Sequence, residues 1–194
     1  MNGILPYLLA LIVLVVAASV FLAYRRNRNW RQFATKYRFQ YRQNALLRNP
    51  RVVGEIQGRS FRLRKAETSS DTGLLGVELV EMSMGLLGRL PKGLEITKSA
   101  TSLADEISAP SIKTGDQEFD DAAFVKGNDS AVVLDYLTLP RRLAILELFA
   151  WDTADWAGIR DNQVVLIERR MVSDAQHLEE RFQFLFDVAR RLDR

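Results

Sequence analysis

Three kinds of hydrophobic patterning divide the chain. Residues 4–24 carry no charged side chain, and only Ser19 interrupts the apolar run over 8–23. As a helix, those 21 residues would reach about 30 Å, the thickness of a bilayer's hydrocarbon core. Pro6 falls in the first turn, where its missing N–H costs little, and Tyr7 and Tyr24 sit near the two ends. A signal peptide or a buried core helix would be the alternatives. A signal peptide, however, has a basic start and a shorter apolar stretch, and Val20, Phe21 and Leu22 continue past the small residues 17–19. The pattern predicts one N-terminal transmembrane helix over residues 1–25.

The period then changes. Trp30, Phe33, Ala34 and Tyr37 recur at helical spacing over 29–41, with Arg31, Lys36 and Arg38 on the other face. Such a stripe packs on a domain or lies in the lipid interface, and packing is the commoner fate. Residues 51–68 alternate as a β-hairpin turning at Gln57-Gly58, and 76–82 and 94–97 are further strand candidates. Three glycines, Pro91 and the leucines Leu86, Leu87 and Leu90 make 85–93 a flexible loop with an exposed apolar tip. Residues 99–114 read as a long mobile loop, and 118–126 as a strand or irregular edge.

Asp129 or Ser130 caps a short helix to Tyr136. Thr138 caps another, with Pro140 in its first turn and Leu143, Leu146 and Ala150 on one face. A second hairpin joins 152–158 to 163–168 through residues 160–162. Ser173 and Gln176 form a capping box for a last helix whose stripe is Leu178, Phe182, Leu185, Ala189 and Leu192. The expected fold is therefore α+β. One N-terminal transmembrane helix is followed by a small domain of antiparallel β-hairpins with helices packed on a face. Residues 26–50 form a basic juxtamembrane amphipathic helix and linker, and 51–194 form the soluble domain.

Charge adds an orientation. Residues 25–65 hold 13 Lys/Arg against one acid, Glu55, whereas 66–194 hold 14 against 23. The net charges are +12 and −9, beneath an overall +3. Arginines directly after an apolar run mark its cytoplasmic flank. The expected location is a bacterial inner (plasma) membrane, single-pass, with the N-terminus outside and the domain in the cytoplasm. Arg25, Arg26, Arg28, Arg31 and Trp30 form the membrane-interface set, beside anionic lipid headgroups. Basic residues interleaved with aromatics also raise nucleic acid as a partner, but tethering at a membrane explains the charge more simply. No nucleic-acid partner is expected.

Familiar chemistry is largely excluded. The chain has no cysteine and one histidine, His177, so thiolate zinc sites and Cys nucleophiles are out. There is no P-loop, dinucleotide fingerprint or G-x-S-x-G elbow. Asp116, Glu118, Asp120 and Asp121 put four carboxylates in six residues and are weak candidates for a divalent-cation site. As an EF-hand loop the stretch fails, with Asp121 at the turn glycine and Gly127 at the bidentate Glu. Turn formation is the plainer reading. No catalytic residue and no cofactor are assigned.

One stretch carries a resemblance. Gly115-Asp116-Gln117-Glu118-Phe119-Asp120, Phe124-Val125 and Leu137-Thr138-Leu139-Pro140-Arg141-Arg142 precede the hairpin and terminal helix. Over residues 112–194 this order resembles uncharacterised bacterial single-span, membrane-anchored domain-of-unknown-function proteins. The Trp30-x-x-Phe33-Ala34 start is a weaker echo, and Ala122-Ala123 lengthen the spacing before Phe124. The resemblance implies a bacterial origin and carries over no catalytic residue. The expected function is a membrane-anchored, non-enzymatic interaction module, an accessory subunit of an inner-membrane complex with a protein partner in the membrane. The alternative is a divalent-cation-dependent enzyme or ligand-binding domain using the 116–121 carboxylates. Possible partner contacts are Leu86, Leu87 and Leu90.

Overall fold

A computed structural model describes residues 4–43, 50–66, 79–98, 111–151, 154–168 and 175–194. The chain opens with helix α1 (Ile4–Tyr37), which runs through the arginine-rich stretch without a break. It ends because Arg38 takes a left-handed conformation (φ 59°). The Phe39 N–H then reaches back to the Ala34 carbonyl (2.8 Å) and the Arg38 N–H to that of Thr35 (3.2 Å), the paired bonds of a Schellman cap.

Strands β1 (Gln40–Arg42), β2 (Arg51–Ile56), β3 (Arg59–Lys65), β4 (Val80–Gly85) and β5 (Glu95–Lys98) follow. Then come α2 (Gln117–Ala122), β6 (Ala123–Lys126), α3 (Ser130–Tyr136), α4 (Leu139–Phe149), β7 (Ala154–Arg160), β8 (Gln163–Glu168) and α5 (Ala175–Leu192). Among the described residues the strands form one antiparallel sheet in the order β1-β2-β3-β4-β8-β7-β5-β6. The expected α+β class with antiparallel hairpins and helices on a face describes this architecture.

The inner face shows why the register is set. Gly54, Phe61, Met84, Val164, Ile159, Ile96 and Val125 are successive cross-strand partners, and all but Gly54 are buried. A one-residue slip would turn this whole row to the outside. Gly54 has no side chain because the Phe39 ring occupies its place: a Cβ there would lie 2.0 Å from Phe39 Cδ1. Both two-residue hairpin turns use positive φ, at Gln57 and Gly58 and at Asp161 and Asn162, which matches the twist of the strands they join.

Helix α5 covers the face with Leu178, Phe182, Leu185, Val188, Ala189 and Leu192. Phe33, Tyr37, Phe39, Phe61 and Phe182 make a five-ring cluster with centroids 4.5–6.0 Å apart, fastening the end of α1 to β3 and α5. Trp30, Phe33 and Ala34 are buried, so the stripe packs on the domain.

Several expectations are corrected. The separate transmembrane helix is the first: among the described residues no helix is long and apolar enough to cross a membrane. The uncharged run belongs instead to a longer helix that continues through Arg25, Arg26, Arg28 and Arg31 and ends in the core. Gln40 and Tyr41 leave the helix for strand β1.

Of residues 118–126, expected as a strand or irregular edge, only Ala123–Lys126 is a strand; Gln117–Ala122 form α2, because Asp116 caps them from its side chain. Strand β4 lies later than expected, over 80–85. In α4 the core face is Ala144, Ile145, Leu148 and Phe149, whereas Leu143 is exposed. The expected mobile loop falls largely outside the described residues, over 99–110, as do the 67–78 segment and the Ser173 cap.

Candidate functional site

The two ends of α1 have opposite surroundings. At its C-terminal end Lys36 pairs with Glu179 of α5, and the Tyr37 hydroxyl donates to Glu179 (3.0 Å) while accepting from Gln183 (2.9 Å). Burial is the main cause that pushes the Tyr37 hydroxyl above its ordinary pKa. The hydrogen bond from Lys36 holds the Glu179 carboxyl below the usual range. At the N-terminal end apolar side chains face outward: Tyr7 is 77% exposed, Leu14 66% and Phe21 63%. Leu11, Ile12, Val13 and Leu14 are all exposed, and four consecutive helical positions cover nearly every side.

Between the ends lies the basic band. Arg25, Arg28 and Arg31 are exposed and Arg26 is half-buried. Arg31 lies 5.3 Å from the centre of the Tyr41 ring. A shallow groove of about 410 Å³ runs along Phe21, Tyr24, Arg25, Arg28, Asn29 and Gln32, where apolar surface gives way to basic. Trp30 is not part of this band, because its side chain is 1% exposed and lies in the core.

The 85–93 loop is tied down rather than free. Leu86 donates its N–H to the Asn162 carbonyl (2.9 Å), and the Asn162 side chain bonds the Leu86 carbonyl and the Leu90 N–H. The Asp193 carboxylate, at the end of α5, accepts from the Leu87 and Gly88 N–H groups and pairs with the buried Arg59 (2.7 Å). Leu86 is buried and Leu90 packs against the core, so of the three expected contact residues only Leu87 is exposed, at 55%. Three glycines suggested flexibility, but side-chain acceptors hold the loop's backbone.

The acidic stretch serves local structure. Asp116 accepts from the Phe119 N–H and pairs with Arg142 (3.0 Å). Asp120 accepts from the Thr114 N–H (2.8 Å), the Thr114 hydroxyl (2.9 Å) and the Gly115 N–H (3.0 Å). Partial burial opposes ionisation of Asp120, yet these hydrogen bonds outweigh it and hold its carboxyl below the usual range. Glu118 and Asp121 are exposed. Among the described residues no group of three or more His, Cys, Asp or Glu is placed to hold a metal. His177 lies 3.7 Å from the buried Glu168, which pairs with Arg181 under the Trp151 ring; these contacts join β8 to α5.

The region that sequence reasoning did not assemble is the outer face of β1, β2 and β3. Arg42, Arg51 and Arg64 are direct cross-strand partners, and Arg62 lies one pleat along on β3. With Arg38, Gln40, Val53, Gly54 and Glu55 they line an open groove of about 780 Å³. The alternation of Arg62 and Arg64 with buried Phe61 and Leu63 signals that these arginines point outward. Their assembly with Arg42 and Arg51 depends on the register between strands. No family model matches the chain, and no curated protein or solved structure matches it either.

Proposed function

We propose that this protein is a membrane-attached, non-enzymatic interaction module acting as an accessory subunit beside a larger membrane-protein assembly. The observation that carries the reading is α1 itself. Its C-terminal end is cemented into the core, while its N-terminal half presents apolar side chains on nearly every side. Exposed apolar side chains in such number favour an apolar surface that covers them. Burying each exposed Leu, Val, Ile or Phe is worth about 1.5–3 kcal/mol, so a handful suffices for stable attachment.

What is proposed is attachment, not crossing. The Arg25, Arg28 and Arg31 band then meets anionic headgroups, which favours the cytoplasmic leaflet of a bacterial inner membrane. That placement also rests on the family resemblance. Asp116 and Asp120 are engaged in capping and turn hydrogen bonds, and the backbone of the 85–93 loop is held by Asp193 and Asn162.

Vesicle flotation of the full-length chain tests attachment. Wild type should float with phosphatidylcholine vesicles, and the Leu11→Asp/Leu14→Asp variant should stay at the bottom of the gradient. Equal behaviour of the two would remove the basis of the reading. Mild-detergent affinity purification with mass spectrometry tests the accessory role. A membrane protein should co-purify in simple stoichiometry, and repeated recovery of a lone chain would refute that part.

A further inference from the structure

The arginine groove on the outer face of β1–β3 is not explained by the fold. Arg42, Arg51 and Arg64 stand directly opposite one another on three adjacent strands, where like charges repel at Cβ separations of about 5 Å. One of the three is neutralised: Arg64 donates two hydrogen bonds of 2.8 Å to the buried Glu81. Arg42 donates to Gln40, a neutral partner on the same strand (2.8 Å). Among the described residues, no carboxylate forms an ion pair with Arg38, Arg42, Arg51 or Arg62. The groove's one lining acid is Glu55.

Arg38 adds a second, independent observation. It occupies the C′ position of the Schellman cap at φ 59°, where glycine is the unstrained choice. The fold thus tolerates a strained arginine at the rim of a groove already crowded with arginines. Strain of this kind collects at binding sites.

We infer that this groove binds a phosphate-bearing anion, either the headgroup of an acidic phospholipid or a soluble phosphate such as diphosphate. Guanidinium forks match the paired oxygens of phosphate, and several within one groove suit a compact, multiply charged group. The lining argues against larger partners. It has no aromatic side chain on which bases could stack, and its only apolar side chain is the half-buried Val53, too little for a peptide's anchor residue. The inference goes beyond membrane attachment and does not require it.

The test uses full-length protein and the variant Arg51→Gln/Arg62→Gln. Both side chains are exposed, so folding is preserved, and circular dichroism checks it. In the first arm, inorganic pyrophosphate is titrated calorimetrically into protein held in a neutral detergent. In the second, flotation is compared on phosphatidylcholine vesicles with and without phosphatidylglycerol. Each lost arginine should weaken binding about tenfold in the arm that carries the natural chemistry.

A response to pyrophosphate alone identifies a soluble phosphate. A variant-sensitive gain on phosphatidylglycerol identifies the headgroup. The control Arg190→Gln, on the helix-covered side of the sheet, should bind as wild type does. The inference is overturned if neither anion binds, or if the control loses as much as the variant. Loss of flotation on neutral vesicles would count against the proposed attachment and leave the pyrophosphate arm readable.

Discussion

One row of residues crosses the whole outer face of the sheet and changes character halfway. Gln40, Val53 and Arg62 on β1–β3 are followed by Ser83, Val165, Gly158, Thr97 and Phe124 on the other five strands, each the cross-strand partner of the next. On the first three strands the row is open, and Gln40 and Arg62 are exposed. On the remaining strands Ser83, Val165, Thr97 and Phe124 are all buried, and the Trp156 side chain lies over Gly158. The inner face makes no such distinction. One wing is therefore buried on both sides, while the other turns unpaired cations outward. Burial accounts for the first wing, and the proposed anion gives the second its role.

The largest test of that contrast places the same carboxylate at two points of the row. Val165→Asp buries an uncompensated charge and should cost about 3–5 kcal/mol. Arg62→Asp, two strands away, should stay within about 0.5 kcal/mol of wild type. Urea unfolding followed by tryptophan fluorescence reads both. A large loss at Arg62 would mean that the open wing is structural after all, and the contrast would fail.

Glu81 stands on the boundary and should move both properties at once. It is 6% exposed, bonds Arg64 twice and lies 3.9 Å from Arg160. Glu81→Gln weakens those charge-assisted bonds, at about 1–3 kcal/mol. It also releases Arg64 towards the groove, so pyrophosphate should bind severalfold more tightly. Weaker binding would show that Glu81 orients the arginines rather than restraining them.

What could be read in the sequence follows the same division. Local signals carried the hairpins, whose turns sit at Gln57-Gly58 and Asp161-Asn162, and they carried the terminal helix, whose stripe is the buried one. They failed where a residue's partner lies far along the chain. The 85–93 loop looked free because Asp193, which holds Leu87 and Gly88, lies more than a hundred positions away. Of the expected α4 stripe only Leu146 packs against the core, and the buried face is Ala144, Ile145, Leu148 and Phe149.

Helix α2 was missed although Asp116 was there to cap it, because a six-residue helix offers too few turns for a periodic signal. The arginine groove shows the same limit. Its residues come from three separate stretches, and only the register β1-β2-β3 makes them neighbours. The basic excess over 25–65 was visible, but its division between a band on α1 and a groove on the sheet was not.

The smallest effect is also the most discriminating. Arg38→Gly should stabilise the protein by about 1 kcal/mol, because it removes the steric cost of a left-handed residue with a Cβ while keeping both Schellman hydrogen bonds. Glycine's greater freedom in the unfolded chain offsets part of that gain, so the rise in urea midpoint will be modest. The same substitution removes one guanidinium from the groove and should weaken pyrophosphate binding. Opposite signs in the two measurements are what a strained binding residue requires. If Arg38→Gly lowers stability, the arginine side chain is supporting the turn itself, and the strain is no sign of a ligand. If stability rises and binding is untouched, Arg38 lies outside the site, which then rests on Arg42, Arg51 and Arg62 alone.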